Sequence, residues 1–104
     1  MYKELTEDNL NDVFQTSDKI MVQYGAAWCG NCKIIKPKFK HLAEENPDVL
    51  FVYVDAEKFP NARKFADVTN LPTFAGYVNG TLTSQKQGNK LEIIKDVLHA
   101  ITTN

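Results

Sequence analysis

The chain has 104 residues, of which 43% are hydrophobic, 24% charged and 11% aromatic. This length and composition predict one globular domain over residues 1–104 and exclude a disordered or disulfide-stapled chain. Twelve basic and thirteen acidic residues give a net charge of −1, which does not favour nucleic acid or anionic lipid as a partner. The N-terminal stretch MYKELTEDNLND lacks the apolar region of a signal peptide, and no apolar run could span a bilayer. We therefore expect a cytoplasmic protein with no nucleic-acid or membrane partner.

The N-terminal residues predict a short helix. Thr6 can cap it, and Glu7 and Asp8 would then lie in its first turn, where acidic side chains interact favourably with the helix dipole. Its apolar face would consist of Leu10, Val13 and Phe14.

A strand, a long helix and a second strand are predicted next. Residues 20–25 and 50–55 are rich in β-branched and aromatic side chains, which is typical of buried strands. The helix between them should run from Cys29 or Gly30 to Glu45, with a kink at Pro37, because proline removes one intrahelical hydrogen bond. This order of elements implies a right-handed crossover between parallel strands.

The second half of the chain predicts a hairpin preceded by a short helix. Residues 73–78 and 82–87 read as strands joined by Asn79-Gly80, a pair that accepts the positive φ of a tight turn. These strands should be antiparallel. The short helix should start with Pro60 in its first turn and continue through Ala66.

A final helix is predicted after Gly88. Asn89 and Glu92 form a capping-box-like pair at its start, and its apolar face would carry Leu91, Ile94, Leu98 and Ile101. Together, the predicted elements indicate an α/β fold with a central mixed sheet of about five strands and about four helices on both faces.

The two cysteines, Cys29 and Cys32, both lie in the stretch YGAAWCGNCKIIK. A zinc site would need further ligands, and the remaining histidines, His41 and His99, do not have zinc-finger spacing. A purely structural disulfide would close a loop too short to remove much unfolded-state entropy, and the cytosol keeps thiols reduced. A cysteine–histidine hydrolase would need an oxyanion site, which no motif marks. A redox-active dithiol is the favoured interpretation.

The position of the cysteines supports a redox role. A cysteine at a helix N-terminus meets unpaired N–H groups and the positive end of the dipole, which lower the pKa of its thiol. Cys29 is then expected to act as a nucleophile. Cys32 lies one helical turn further along and can attack the Cys29 sulfur after a mixed disulfide has formed. Gly30 allows the backbone to turn from strand into helix and lets a partner chain approach.

Several motifs in this order resemble the thioredoxin family. WCGNCK follows a buried strand, VDAE ends the next strand, and LPTF, the Asn-Gly hairpin and Gly88 come later. WCGxCK followed about forty residues later by an apolar residue, proline and threonine is far more specific than CxxC alone. The resemblance covers essentially the whole chain and implies a thioredoxin fold with thiol–disulfide oxidoreductase activity.

The resemblance implies a role for each matching residue. Cys29 would be the exposed attacking cysteine and Cys32 the buried resolving one, and their disulfide would serve in place of any other cofactor. Substrate contacts are expected from Trp28, Gly30, Asn31, Leu71, Pro72 and Gly88, with Pro72 in the cis form and the Leu71 backbone pairing with an extended segment of the substrate. Trp28 as a core aromatic and Pro72 as a plain strand-initiating proline are the alternatives. Asp55 is expected to cap the following helix or turn.

Some positions depart from the family pattern. Asn31 replaces the proline usual between the cysteines, which affects helix rigidity and the relative stability of dithiol and disulfide. Gln23 stands where typical members bury an aspartate beneath the active site, and Phe51 where some bacterial members carry a lysine. A glutamine can hydrogen-bond the resolving thiol or a water but cannot titrate. We expect Gln23 and Lys33 to tune the dithiol.

As the resemblance implies, we expect a monomeric, cytoplasmic reductase of protein disulfides that serves electron transport and cell redox homeostasis. Its partners would be disulfide-containing proteins and thioredoxin reductase, an NADPH-linked flavoprotein that restores the dithiol. One alternative is a thioredoxin-fold binding or chaperone-like module with incidental redox activity. A glutathione-linked glutaredoxin is disfavoured because the chain begins with an extra strand–helix unit and carries WCGNC.

Overall fold

The computed structural model describes residues 1–103, which form one five-stranded sheet and four α-helices. The elements in chain order are β1 (Tyr2–Glu4), α1 (Leu10–Val13), β2 (Lys19–Gly25), α2 (Gly30–Glu45), β3 (Leu50–Asp55), α3 (Pro60–Arg63), β4 (Thr73–Val78), β5 (Thr81–Gln87) and α4 (Leu91–Thr102). Within this described part of the chain, no helix combines the length and apolar character needed to cross a membrane.

The sheet is mixed, and β2 is its central strand in the order β1-β3-β2-β4-β5. β1 and β2 both run parallel to β3, whereas β4 is antiparallel to β2 and to β5. The predicted strand–helix–strand unit is therefore confirmed as β2–α2–β3. The end of the central strand leads into α2 through residues 26–29, so the dithiol segment starts at the middle of the sheet.

Helices cover both faces of the sheet, as predicted. α1 and α3 pack on one face, over a core that includes Tyr24 and Tyr77. α2 and α4 pack on the other face, over a core that includes Met21 and Phe39. Because successive side chains of a strand point to opposite faces, Gln23 lies on the same face as Met21, beneath α2.

The β4–β5 hairpin has the predicted turn. Asn79 and Gly80 have φ values of 51° and 79°, the left-handed region that asparagine and glycine tolerate best.

Helix α2 runs from Gly30 to Glu45 as predicted and continues through Pro37, which is exposed to solvent. The kink at this proline stays a prediction.

The predicted start of the first helix is wrong. α1 is a single turn whose N-cap position is Asn9, and Thr6 precedes it without capping it. Asp8 instead accepts hydrogen bonds from the backbone N–H groups of Asn61 at 3.0 Å and Ala62 at 2.8 Å. It thereby caps the first turn of α3, a contact between two segments that local sequence patterns do not reveal. The predicted apolar face is confirmed as buried: Leu10, Val13 and Phe14.

Two other helix boundaries differ from prediction. α3 ends at Arg63, before the predicted end at Ala66. α4 starts at Leu91, and its N-cap position makes no side-chain hydrogen bond, so the predicted capping pair of Asn89 and Glu92 is wrong. The predicted apolar face of α4 is confirmed, since the following residues are buried or half-buried: Leu91, Ile94, Leu98 and Ile101.

Candidate active site

The two cysteines form a disulfide at the N-terminus of α2. Cys29 is the N-cap residue, with extended backbone, and its Sγ accepts a hydrogen bond from the Cys32 N–H at 3.2 Å. This N–H has no partner within the helix, so the sulfur takes the place of a capping oxygen. The positive end of the helix dipole lies here too and favours negative charge on the Cys29 sulfur once the disulfide is open.

The two cysteines differ in exposure, but less than predicted. Cys29 keeps 5% of its surface exposed and Cys32 keeps 0%. The order matches the prediction, whereas the description of Cys29 as exposed is wrong for the disulfide form. Ala26 and Leu71 pack against the disulfide.

The segment that precedes β4 lies beside the disulfide. The Leu71–Pro72 peptide bond is cis, as predicted, and Pro72 is buried directly before the strand. The Pro72 carbonyl accepts a hydrogen bond from the Gly88 N–H at 3.1 Å. Gly88 has a φ of 135°, a conformation that only glycine adopts readily. The fold thus brings the dithiol, the proline segment and Gly88 together.

Exposed residues surround the disulfide on the helix side. Trp28 is 68% exposed, so the alternative that it is a core aromatic is wrong. Gly30 is exposed as well, and a Cβ atom at this position would meet nothing within 4 Å. Asn31 accepts a hydrogen bond on Oδ1 from Nδ2 of Asn89 at 3.1 Å. Nothing in the local sequence around Asn89 links it to α2, so this contact was not predicted.

Gln23 lies beneath the dithiol, as expected. Its side chain is fully buried, and Nε2 donates a hydrogen bond to the Cys32 carbonyl at 3.1 Å. Oε1 has no hydrogen-bond partner among the described residues. Tyr53 is its register partner on β3, where burial raises the pKa of the phenol and the nearby carboxylate of Asp55 raises it further. Phe51 is likewise buried in the core.

The remaining candidate residues lie nearer the surface. Lys33 is exposed and lines a depression beside β1. Oδ1 of Asp55 accepts two hydrogen bonds at 3.0 Å from the N–H groups of Glu57 and Lys58, which confirms the predicted capping role. His41 Nδ1 lies 3.7 Å from a carboxylate oxygen of Glu44. Within residues 1–103, no three metal-ligating side chains of the His, Cys, Asp or Glu type cluster.

A disulfide between two cysteines one turn apart, at a helix start and beside a cis proline, defines a class of protein that carries out thiol–disulfide exchange. The family model Thioredoxin matches residues 1–100. The chain therefore belongs to the thioredoxin family and is a thiol–disulfide oxidoreductase whose redox-active pair is Cys29 and Cys32.

Individual relatives agree with this assignment. Thioredoxin-3 of Dictyostelium discoideum is 30% identical over 96 residues, which cover 92% of each chain. The structure of reduced Schistosoma mansoni thioredoxin pre-protein has a TM-score of 0.87 and 32% identity, covering 96% of this chain and 97% of that one. A further similar chain comes from a structural study of the thiol resolving mechanism in yeast mitochondrial 1-Cys peroxiredoxin via glutathione/thioredoxin systems. This chain has a TM-score of 0.81 and 28% identity, and the match covers 91% of each chain. The predicted thioredoxin fold is thus confirmed, and the binding-module alternative receives no support.

Proposed function

We propose that the protein reduces disulfides in other proteins, with Cys29 as the attacking cysteine and Cys32 as the resolving one. The observation that carries this assignment is the difference in exposure, 5% for Cys29 against 0% for Cys32. A disulfide on a partner protein can reach only a sulfur that borders the surface. The N-cap position of Cys29 supports the same assignment, because the helix dipole favours a thiolate there.

The proposed cycle moves two electrons from the dithiol to the substrate. The Cys29 thiolate attacks one sulfur of the substrate disulfide, and the other substrate sulfur leaves as a thiolate that takes up a proton. The Cys32 thiol then loses its proton and attacks the Cys29 sulfur of the mixed disulfide. The second substrate thiolate leaves and is protonated, while Cys29 and Cys32 end as a disulfide.

The surface beside the disulfide suits an extended peptide. Trp28 offers an exposed apolar side chain, and the open space at Gly30 leaves room for a neighbouring backbone. On the other side, the Leu71–Pro72 segment lies at the edge of the disulfide, next to Gly88. We propose that the Leu71 backbone pairs with the substrate and that Trp28, Asn31 and Gly88 border the bound chain.

The disulfide that results from one turnover must be reduced again. The structural neighbour from the study of 1-Cys peroxiredoxin and glutathione/thioredoxin systems supports a redox partner in general. We propose an NADPH-linked flavoprotein reductase as the electron donor, and a monomeric protein that carries electrons in the cytoplasm and maintains redox balance there. No further cofactor is needed in this scheme, because the cysteine pair itself holds the two electrons.

The assignment of the cysteines is tested with two single variants and a protein substrate such as insulin. Cys29→Ser should abolish turnover without trapping substrate. Cys32→Ser should accumulate a mixed disulfide with the substrate, because it keeps the attacking thiolate and lacks the resolving one. Non-reducing gels and intact mass measure the trapped species. Equal trapping by the two variants would show that the roles are not divided as proposed.

The electron donor is tested separately with the wild-type protein. NADPH and a purified flavoprotein thioredoxin reductase should sustain insulin reduction, and NADPH consumption should stop when Cys29→Ser replaces the wild type. If only glutathione sustains turnover, the proposed donor is wrong while the cysteine roles still stand.

A further inference from the structure

Gln23 contains a buried acceptor that the disulfide form leaves unused. Its side chain is 0% exposed, and its Oε1 atom has no hydrogen-bond partner within residues 1–103. A buried polar atom without a partner is costly, and native proteins rarely keep one without a reason. The amide is not free to turn away, because Nε2 is held by the Cys32 carbonyl at 3.1 Å.

The reduced protein contains a donor that the disulfide form lacks, the thiol of Cys32. Cys32 is also 0% exposed, and in the disulfide it carries no hydrogen on sulfur. Reduction adds a proton to this sulfur, and the resulting S–H is a weak donor that burial separates from bulk water. Nε2 donates to the Cys32 carbonyl, so the Gln23 amide contacts the backbone of the residue that carries this thiol.

We infer that Gln23 Oε1 accepts a hydrogen bond from the Cys32 thiol in the reduced protein, and that this bond is broken each time the disulfide forms. Gln23 is then a positioning residue that holds the resolving thiol in place and stabilises the dithiol relative to the disulfide. The reaction is the two-electron reduction of the Cys29–Cys32 disulfide by an external dithiol, which becomes oxidised and supplies the two protons. The inference rests on the proposed cycle only in requiring that Cys32 be protonated between turnovers.

A hydrogen bond from the Cys32 thiol to Gln23 would change the reduction potential of the disulfide in one direction. A bond that exists only in the reduced form shifts the equilibrium toward the dithiol and makes the potential less negative. Gln23→Met keeps a similar chain length and removes the acceptor. It should lower the ratio of reduced to oxidised protein about fivefold at a fixed ratio of reduced to oxidised dithiothreitol. This is a potential about 20 mV more negative, since tenfold corresponds to about 30 mV for a two-electron couple.

Two further variants separate this effect from loss of packing. Gln23→Glu at about pH 5 should keep the wild-type potential, because a buried carboxyl stays protonated there and has both a donor and an acceptor oxygen. Val22→Ala removes buried volume from the opposite face of the same strand. It should lower the stability of both redox forms and leave the potential unchanged.

The hydrogen bond itself is tested on a protein with a single thiol. In the Cys29→Ser background only Cys32 remains, and the infrared S–H stretching band reports its hydrogen bonding directly. Adding Gln23→Met should move this band toward the frequency of a free thiol.

An unchanged potential in Gln23→Met would overturn the inference, and so would an unmoved S–H band. Both results are expected if an ordered water satisfies Oε1 in both redox states. If Gln23→Met does not fold, a Gln23→Glu potential that differs from wild type at about pH 5 would overturn it as well. A failure of the proposed function looks different: the wild-type protein would still equilibrate with dithiothreitol, but it would not reduce insulin, and Cys32→Ser would not trap it.

Discussion

Asn31 and Asn89 are joined by a hydrogen bond of 3.1 Å, although they are 58 positions apart in the sequence. Asn31 lies between the two cysteines in the first turn of α2, and Asn89 lies just before α4. Their bond therefore links the dithiol segment to the loop that contains Gly88. A proline at position 31, the residue usual in the family, could not make it, because proline has no side-chain acceptor.

This bond predicts a measurable coupling between the two residues. Asn31→Ala and Asn89→Ala should each lower the free energy of unfolding by about 0.5 kcal/mol, since the bond is exposed to solvent. The double variant should lose no more than either single variant, as expected when both remove the same contact. Asn31→Pro should also abolish the effect of Asn89→Ala while α2 still forms, because the first turn of a helix tolerates proline. Additive losses in urea melts would show that the bond contributes nothing.

A side chain at position 30 should hinder access of a protein substrate without lowering the stability of the fold. A Cβ atom at this position meets nothing within 4 Å, so Gly30→Ala should leave the free energy of unfolding unchanged or raise it by a few tenths of a kcal/mol. The added methyl group would stand where a partner backbone is proposed to approach. The rate of insulin reduction should therefore fall severalfold, while the rate of reaction of the disulfide with dithiothreitol changes little. Gly76→Ala is the contrasting variant, since its Cβ would lie 2.8 Å from an Ile101 methyl carbon and should destabilise the fold. Equal rates with insulin for wild type and Gly30→Ala would argue against this approach route.

The complete burial of the Gln23 side chain predicts how an aspartate at this position would behave. In Gln23→Asp, burial should raise the carboxyl pKa above its usual value of about 4. The folded protein then binds that proton more tightly than the unfolded chain, so the variant loses stability relative to wild type as pH rises through the folded pKa. A carboxylate can also accept the Cys32 proton, so resolution of the mixed disulfide should be faster at about pH 7 to 8. Urea melts at several pH values and stopped-flow reduction of a test disulfide measure the two effects. A stability difference that does not depend on pH would contradict the buried position of this side chain.

The buried tyrosine pair predicts loss of stability at alkaline pH. The hydroxyl groups of Tyr24 and Tyr77 lie 2.9 Å apart, and Tyr77 also donates to the Phe65 carbonyl at 3.0 Å. Burial raises the pKa of Tyr77 to about 12, although its hydrogen bond with Tyr24 partly offsets this increase, and burial raises the pKa of Tyr24 as well. Both folded values exceed the unfolded value of about 10, so this stabilisation is complete below about pH 10 and is lost as pH rises toward 12.

The corresponding measurement compares wild type with Tyr77→Phe. The free energy of unfolding of the wild type should fall by up to about 1.4 kcal/mol per pH unit for each of the two tyrosines. Tyr77→Phe should be less stable by about 1 kcal/mol at neutral pH, because it loses hydrogen bonds, and its alkaline slope should be shallower. Denaturant melts between about pH 8 and pH 12 would refute this account if the two curves stayed parallel.

Local patterns in the sequence predicted most of the fold. The alternation and the β-branched content of the strands, the Asn-Gly turn and the single stretch with two cysteines each depend on residues that are neighbours in the chain. The bounds of α2 and β3 followed from such signals, and so did the capping role of Asp55. The cis Leu71–Pro72 bond followed from the family resemblance of LPTF.

The tertiary structure alone decided the contacts between segments far apart in the sequence. Asp8 and Asn89 both carry side chains that suit a local helix cap, yet Asp8 caps α3 and Asn89 bonds to Asn31. A short polar side chain can satisfy a local or a distant partner equally well, so its own neighbourhood in the chain does not determine which one it meets. A related reason applies to the cysteines: local patterns placed Cys29 at a helix start, but its exposure of 5% depends on packing against segments distant in the chain, such as that of Leu71.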